Sequence, residues 1–154
     1  MHRNARRVEA ELRRLGVDAR IIEHETSART AEEAAATVGV PVGAIVKSLV
    51  FVAGSDPLLV LTSGSNRVST DRLGADLGVP VRRGDADLAR AATGFPIGGV
   101  APVAHPAPIR TFVDRDLLAF PEVWAAAGTP NAVFPIAPAE LVRVTNATVA
   151  DVAE

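Results

Sequence analysis

The chain has 154 residues, is 48% apolar and carries a formal net charge of −2, which suits one domain, residues 1–154, with a core of Val, Leu, Ile and Ala, since aromatics make up only 4%. It contains no cysteine, which excludes disulfides, thiolate nucleophiles and cysteine-bound metals. The small acidic charge excludes a protein that coats nucleic acid through a global field, so any RNA contact must be a local patch.

Residues Arg3 to Leu15 have Val8, Leu12 and Leu15 on one face, a pattern that predicts an amphipathic helix ended by Gly16. Ala19 to Glu23 reads as a short strand. Thr30 followed by Glu33 is a capping-box pattern that opens a second helix, stopped by Gly39 and Pro41. Ala44 to Ala53 and Leu58 to Thr62 read as two buried strands joined by the hairpin connection Gly54-Ser55-Asp56-Pro57. Helices are expected over Ser69 to Leu77 and Asp85 to Ala92, closed by Gly78 and Gly94. Val100 to Ala104, Ile109 to Asp114 and Ala132 to Ile136 are expected strands, and Leu117 to Glu122 and Ala139 to Val142 helical turns. This mixture predicts a mixed α/β (α+β) fold with a central, mixed but largely antiparallel sheet flanked by short helices. No run approaches the ~18 apolar residues of a membrane span, and the polar stretch Met1 to Arg14 is unlike a secretory signal. A cytoplasmic protein without a membrane partner is the expectation.

The basic residues are lopsided in kind: fifteen are arginine, and Lys47 is the only lysine. Where arginine serves ordinary surface positions, a lone lysine inside the apolar run Ile45-Val46-Lys47-Ser48-Leu49-Val50-Phe51 points to a site where a compact point charge with a movable pKa is needed. The plainer reading is a strand lysine whose stem lies on apolar surface while its ammonium reaches water. Thr93-Gly94-Phe95-Pro96-Ile97-Gly98-Gly99-Val100-Ala101-Pro102 is an ordered turn in which glycines allow a ligand to approach the backbone, or is merely a tight loop. It carries neither of the common glycine-rich phosphate motifs. His2, His24 and His105 are too scattered for a zinc motif, and Ser48, Ser63 and Ser65 are outside a nucleophile elbow. No metal and no cofactor is expected. His105 reads as a loop or core histidine, and Glu32-Glu33 as the solvated first turn of a helix.

Two of these segments together carry a resemblance. Ile45-Val46-Lys47-Ser48-Leu49-Val50 resembles the lysine strand of the YbaK/ProX family. Gly94 to Pro102 resembles its glycine loop, with Gly98 and Pro102 in the family's GxxxP spacing. Thr30-Ala31-Glu32-Glu33-Ala34-Ala35 resembles the start of its second helix, and Trp124 to Phe134 its late glycine turn and strand. The resemblance implies an α/β fold around a mixed sheet, a pocket near the lysine, and hydrolysis of a mischarged aminoacyl-tRNA, such as tRNA(Pro) carrying Ala, Cys or a similar small amino acid. It implies Lys47 as the catalytic residue. Thr30, Ile45, Ser48, Arg67, Phe95, Gly98, Gly99 and Pro102 are the expected substrate-binding residues. The aminoacyl-tRNA acceptor end is the expected partner, with prolyl-tRNA synthetase as a second. Ser48 stands where cysteine-selective members often have threonine, and Ala101 replaces a frequent serine, which leaves the edited amino acid open. A non-catalytic module that binds aminoacyl-tRNA or a synthetase, and a hydrolase of small esters, fit the same residues.

Overall fold

The computed structural model describes residues 1–154. Helix α1 spans Arg3–Arg14 and buries Ala5, Val8 and Leu12 while its arginines face solvent. Strand β1 is Ile22–Glu23. Helix α2, Ala31–Val38, starts at Thr30, whose hydroxyl accepts a hydrogen bond from the Glu33 N–H at 3.1 Å, and ends at Gly39 in the left-handed conformation. This is the expected cap, with one change: the Glu33 carboxylate reaches past Thr30 and accepts from the Arg29 N–H. A 3₁₀ turn, Val42–Ala44, leads into β2 (Val46–Ala53) and β3 (Asp56–Ser63). Ala53 pairs with Asp56, so the hairpin loop is Gly54 and Ser55 alone. Then follow α3 (Thr70–Leu77), β4 (Val81–Arg83), α4 (Ala86–Thr93), β5 (Arg110–Asp114), a 3₁₀ turn at Arg115–Ala119, β6 (Val123–Ala126), β7 (Ala132–Ile136), α5 (Pro138–Thr145) and β8 (Thr148–Ala150). No helix is long and apolar enough to cross a membrane.

The strands form a five-stranded sheet, β4-β2-β3-β5-β8, and a three-stranded sheet, β1-β7-β6. β2 pairs antiparallel with β3 and β4, whereas β3–β5 and β5–β8 are parallel, so the larger sheet is mixed. The smaller sheet is antiparallel throughout. A bridge from Ile45 to Trp124 joins the two at the start of β2.

Both faces of the larger sheet are covered. Along β2, Val46 and Val50 join the main core with Leu59, Leu61, Phe95, Val113 and Phe134. Leu49 and Phe51 point the other way, into a smaller cluster with Leu58, Val60, Leu73 and Phe112. This alternation follows from the pleat. A third cluster of Ala35, Ile45 and Trp124 fills the seam between α2 and the two sheets.

Several expectations shift. Val100 to Ala104 is irregular, not a strand: Pro102 has no donor for a ladder, Ala104 sits at φ +69°, and side chains, not a neighbouring strand, take two of its carbonyls. The turn expected at Leu117 to Glu122 lies earlier, at Arg115–Ala119, where the Asp114 carboxylate caps it by accepting from the Asp116 N–H. Ala139 to Val142 is the middle of a full helix with Pro138 at its first position. β4, β6 and β8 carry little strand signal of their own and exist because a neighbouring strand pairs with them.

Candidate active site

Lys47 stands on β2 opposite Thr62 of β3 and is half-buried. Its Nζ donates to the backbone carbonyl of Asn66, 2.5 Å away, in the turn that follows β3. Burial pulls its pKa below the usual lysine range; Glu32 and Asp114 oppose that, and Arg67 and Arg83 add to it. The result is a positive charge held at one place beside an apolar wall. Such a charge is less well satisfied by water than one on the surface and is more available to a ligand oxygen.

The wall belongs to a cavity of about 310 Å³ at the seam between the two sheets, under α2. Its sides are mostly apolar, with Ile45 just before β2, Val46 and Val50 from β2, Ala34 from α2, and Trp124 and Val133 from the smaller sheet. Thr30, Ile45, Lys47, Ser48 and Gly98 all line it, so the fold brings five of the expected site residues together. Ser48 points from β2 to the opposite face from Lys47, and its buried hydroxyl has no hydrogen-bond partner. An unpaired buried hydroxyl is unfavourable unless something else supplies the bond.

The other four expected residues lie outside the cavity lining. Phe95 is fully buried in the main core, edge-on to His105 and beneath the Arg7 guanidinium. Gly99 backs onto the late turn: a Cβ there would sit 2.7 Å from the Thr129 backbone, so glycine is required by packing. Pro102 is buried in the loop behind. Arg67 follows the Lys47-anchoring Asn66 but extends outward, its side chain 86% exposed and 4.0 Å from the Glu154 carboxylate. The glycine loop therefore reaches the cavity through Ile97, Gly98 and Val100.

His24, Thr129 and Asn131 also line the cavity; the sequence marked Thr129 and Asn131 only as part of the late glycine turn and gave His24 no role. The Asn131 side chain donates to the His24 carbonyl at 2.7 Å and accepts from the Thr129 hydroxyl at 2.8 Å, while the His24 N–H donates to the Asn131 carbonyl. These bonds tie the segment before α2 to the β6–β7 turn, which closes one end of the cavity. The Nε2 of His24 is buried without a partner. Only the fold brings these residues, more than a hundred positions apart, together.

The profile of the aminoacyl-tRNA editing domain family matches residues 25–144 of this chain. YwhH of Bacillus subtilis (strain 168), itself uncharacterised, is 31% identical over 122 residues, which cover 79% of this chain and 78% of that protein. The proline–tRNA ligase of Nitratidesulfovibrio vulgaris (strain Hildenborough) is 34% identical over 91 residues, 58% of this chain but only 16% of the ligase. The crystal structure of a candidate trans-editing enzyme for prolyl-tRNA synthetase superposes with a TM-score of 0.95 at 46% identity, covering 100% of this chain and 99% of that one.

Proposed function

We propose that this chain, which belongs to the aminoacyl-tRNA editing domain family (the YbaK/ProX family), is a trans-editing hydrolase that removes a small, wrongly attached amino acid from tRNA. The observation that carries this reading is a single anchored ammonium, Lys47, on the wall of a small apolar cavity that Ser48 and Gly98 also line. The whole chain acts as one editing domain, because α1 packs into the same core as the matched residues.

An aminoacyl ester is already activated, so the site needs no protein nucleophile. Water attacks the carbonyl carbon, the bond from that carbon to the ribose oxygen breaks, and the ribose oxygen takes up a proton. Lys47 supplies positive charge where the tetrahedral oxyanion or the adjacent phosphate of the 3′ end lies, a form of stabilisation worth ~10²–10³-fold for one key donor. The aminoacyl group sits against the apolar residues of the cavity, Ile45 and Trp124 among them. A cavity of about 310 Å³ is at the low end for small-molecule sites. It rejects large side chains by clash and discriminates among small ones by only ~1–3 kcal/mol per methylene.

The relationship to a proline–tRNA ligase and to a candidate trans-editing enzyme for prolyl-tRNA synthetase supports tRNA(Pro) carrying Ala, Cys or a similar small residue as substrate, with prolyl-tRNA synthetase as a partner. The test is a deacylation panel of mischarged tRNAs beginning with Ala- and Cys-tRNA(Pro), with free aminoacyl esters alongside. Turnover of charged tRNA is expected. Tight binding without turnover would replace this reading with a non-catalytic binding module, and hydrolysis of free esters alone would remove RNA from it.

A further inference from the structure

Asp114 is only 1% exposed, yet nothing in the proposed chemistry uses it. It ends β5, beside the end of β3. Its Oδ2 accepts from the Thr62 hydroxyl at 2.8 Å, the Ser63 N–H at 3.0 Å and the Asn66 side-chain amide at 2.8 Å. Its Oδ1 accepts from the Asp116 N–H at 3.0 Å. Burial alone would raise its pKa, but the bonds from Asn66, Ser63, Asp116 and Thr62 outweigh that and hold the carboxyl below its usual value. It is a buried anion that serves as a four-way acceptor.

Two of those donors explain its place. Thr62 is the residue paired with Lys47 across β2 and β3. Asn66 is the residue whose carbonyl accepts from the Lys47 ammonium. The Asn66 amide also donates to Asp116, at 2.7 Å, so the turn hangs on two carboxylates. We infer that Asp114 is a positioning residue of this site: through Asn66 it fixes the turn after β3, and the Asn66 carbonyl then anchors the Lys47 ammonium at the cavity wall. A free lysine side chain has four rotatable bonds and loses much rotamer entropy when it is held. One of its three N–H donors goes to Asn66, which leaves two for a substrate. Asparagine is a poorer fit at position 114: with its carbonyl turned to Thr62, Ser63 and Asn66, its amide would still face the Asp116 N–H, a donor against a donor, and the negative charge would be gone.

The consequence for catalysis rests on the function proposed above, but the anchor itself does not. Because Lys47 is the only lysine, a sample labelled at lysine Cε gives one side-chain signal, with no RNA present. In the native protein the two Hε protons of Lys47 should be inequivalent. In Asn66→Ala, a change in a partly buried turn, and in Asp114→Ala where it folds, they should collapse to the single shift of a free side chain. Single-turnover deacylation should fall about 10- to 100-fold in Asn66→Ala, less than for loss of the lysine itself. In a Lys47→Ala background the same change should cost less than about twofold, because two residues acting through one group are not additive. Retained inequivalence in folded Asn66→Ala, or an equal loss of rate in both backgrounds, would overturn the inference and leave Asp114 as support for the end of β3. Collapse of the signal in a protein whose native form deacylates nothing would uphold the anchor and sink the proposed activity instead.

Discussion

The ring of His105 lies with Nε2 2.8 Å from the carbonyl oxygen of Ala101, four residues upstream, and this bond holds the end of the glycine loop in shape. The ring is half-buried against Phe95 and lies outside the cavity lining, so its polar atom serves the loop and not the cavity. Burial lowers its pKa below the usual histidine value, and the bond to Ala101 only partly offsets this.

A pH dependence of stability follows. The unfolded histidine binds a proton near pH 6.5, whereas the folded one resists it to lower pH. Between those two values the unfolded state binds more protons, so stability should fall as pH drops below 6.5 towards the folded value. Asp114 acts in the same direction further down, its contribution present above its ordinary value of 3.8 and lost as pH falls through its depressed folded value. Urea midpoints at pH 7.5 and pH 5 should therefore diverge more for the native protein than for His105→Gln. Equal divergence would show that His105 does not carry the effect.

Lys47→Ala should lower deacylation by ~10²–10³-fold. Lys47→Arg should also be poor, because a planar fork has a different reach and the seat at the Asn66 carbonyl fits one ammonium. Melting temperature should not drop in Lys47→Met, because removing a half-buried charge also removes its desolvation penalty. Full activity in Lys47→Arg would end the special role of lysine, and a large loss of stability in Lys47→Met would make the residue structural.

The part of this site legible in the sequence was the part with a local signature. Lys47 stood out because it is alone, and β2 because its apolar run is long; the glycine loop was visible as a turn, and the family resemblance joined it to the lysine. Thr30 was readable as a cap, since a cap depends on residues three positions apart. Asn66 and Asp114 were not legible, because their roles depend on a β3–β5 pairing that crosses fifty positions. His24 and Asn131 meet only when the two sheets close on each other. β6 was hidden for a different reason: Ala125 and Ala126 have no strand preference, and only pairing with β7 makes them extended.

The glycine loop separates packing from access. Valine at Gly99 should destabilise the fold, because its Cβ would enter the Thr129 backbone. Gly98 has open space around it, the nearest atoms being those of Pro130 at 3.9 Å, but its φ of +87° strains any other residue. Gly98→Ala should cost about 1–2 kcal/mol of stability and a further loss of turnover from the side chain at the cavity mouth. Thermal melts and single-turnover rates on both variants check this. A stable, inactive Gly99→Val would show that Thr129 can yield and that Gly99 faces substrate after all.

How the RNA is held follows from charge. With a net charge of −2, the chain has no overall positive field to draw RNA, so it should contact few phosphates near the acceptor end. Arg67 is the contact proposed for one of them. It follows the anchoring turn, lies near enough to Lys47 to depress its pKa, and is held only by a 4.0 Å ion pair to the exposed Glu154. An exposed pair of that length contributes little, so the guanidinium is free to turn to a phosphate. Each contact to a single strand contributes about −0.7 to the slope of log affinity against log salt, so a handful of contacts gives a slope of roughly −2 to −4. Binding of an uncleavable aminoacyl-tRNA analogue across salt concentrations measures that slope. Arg67→Ala should make it shallower by about 0.7 while leaving the preference among aminoacyl groups unchanged, because that preference belongs to the cavity, which Arg67 does not line. A native slope of about −8 or steeper would sink the few-contact arrangement, and an unchanged slope in the variant would remove Arg67 from the RNA path.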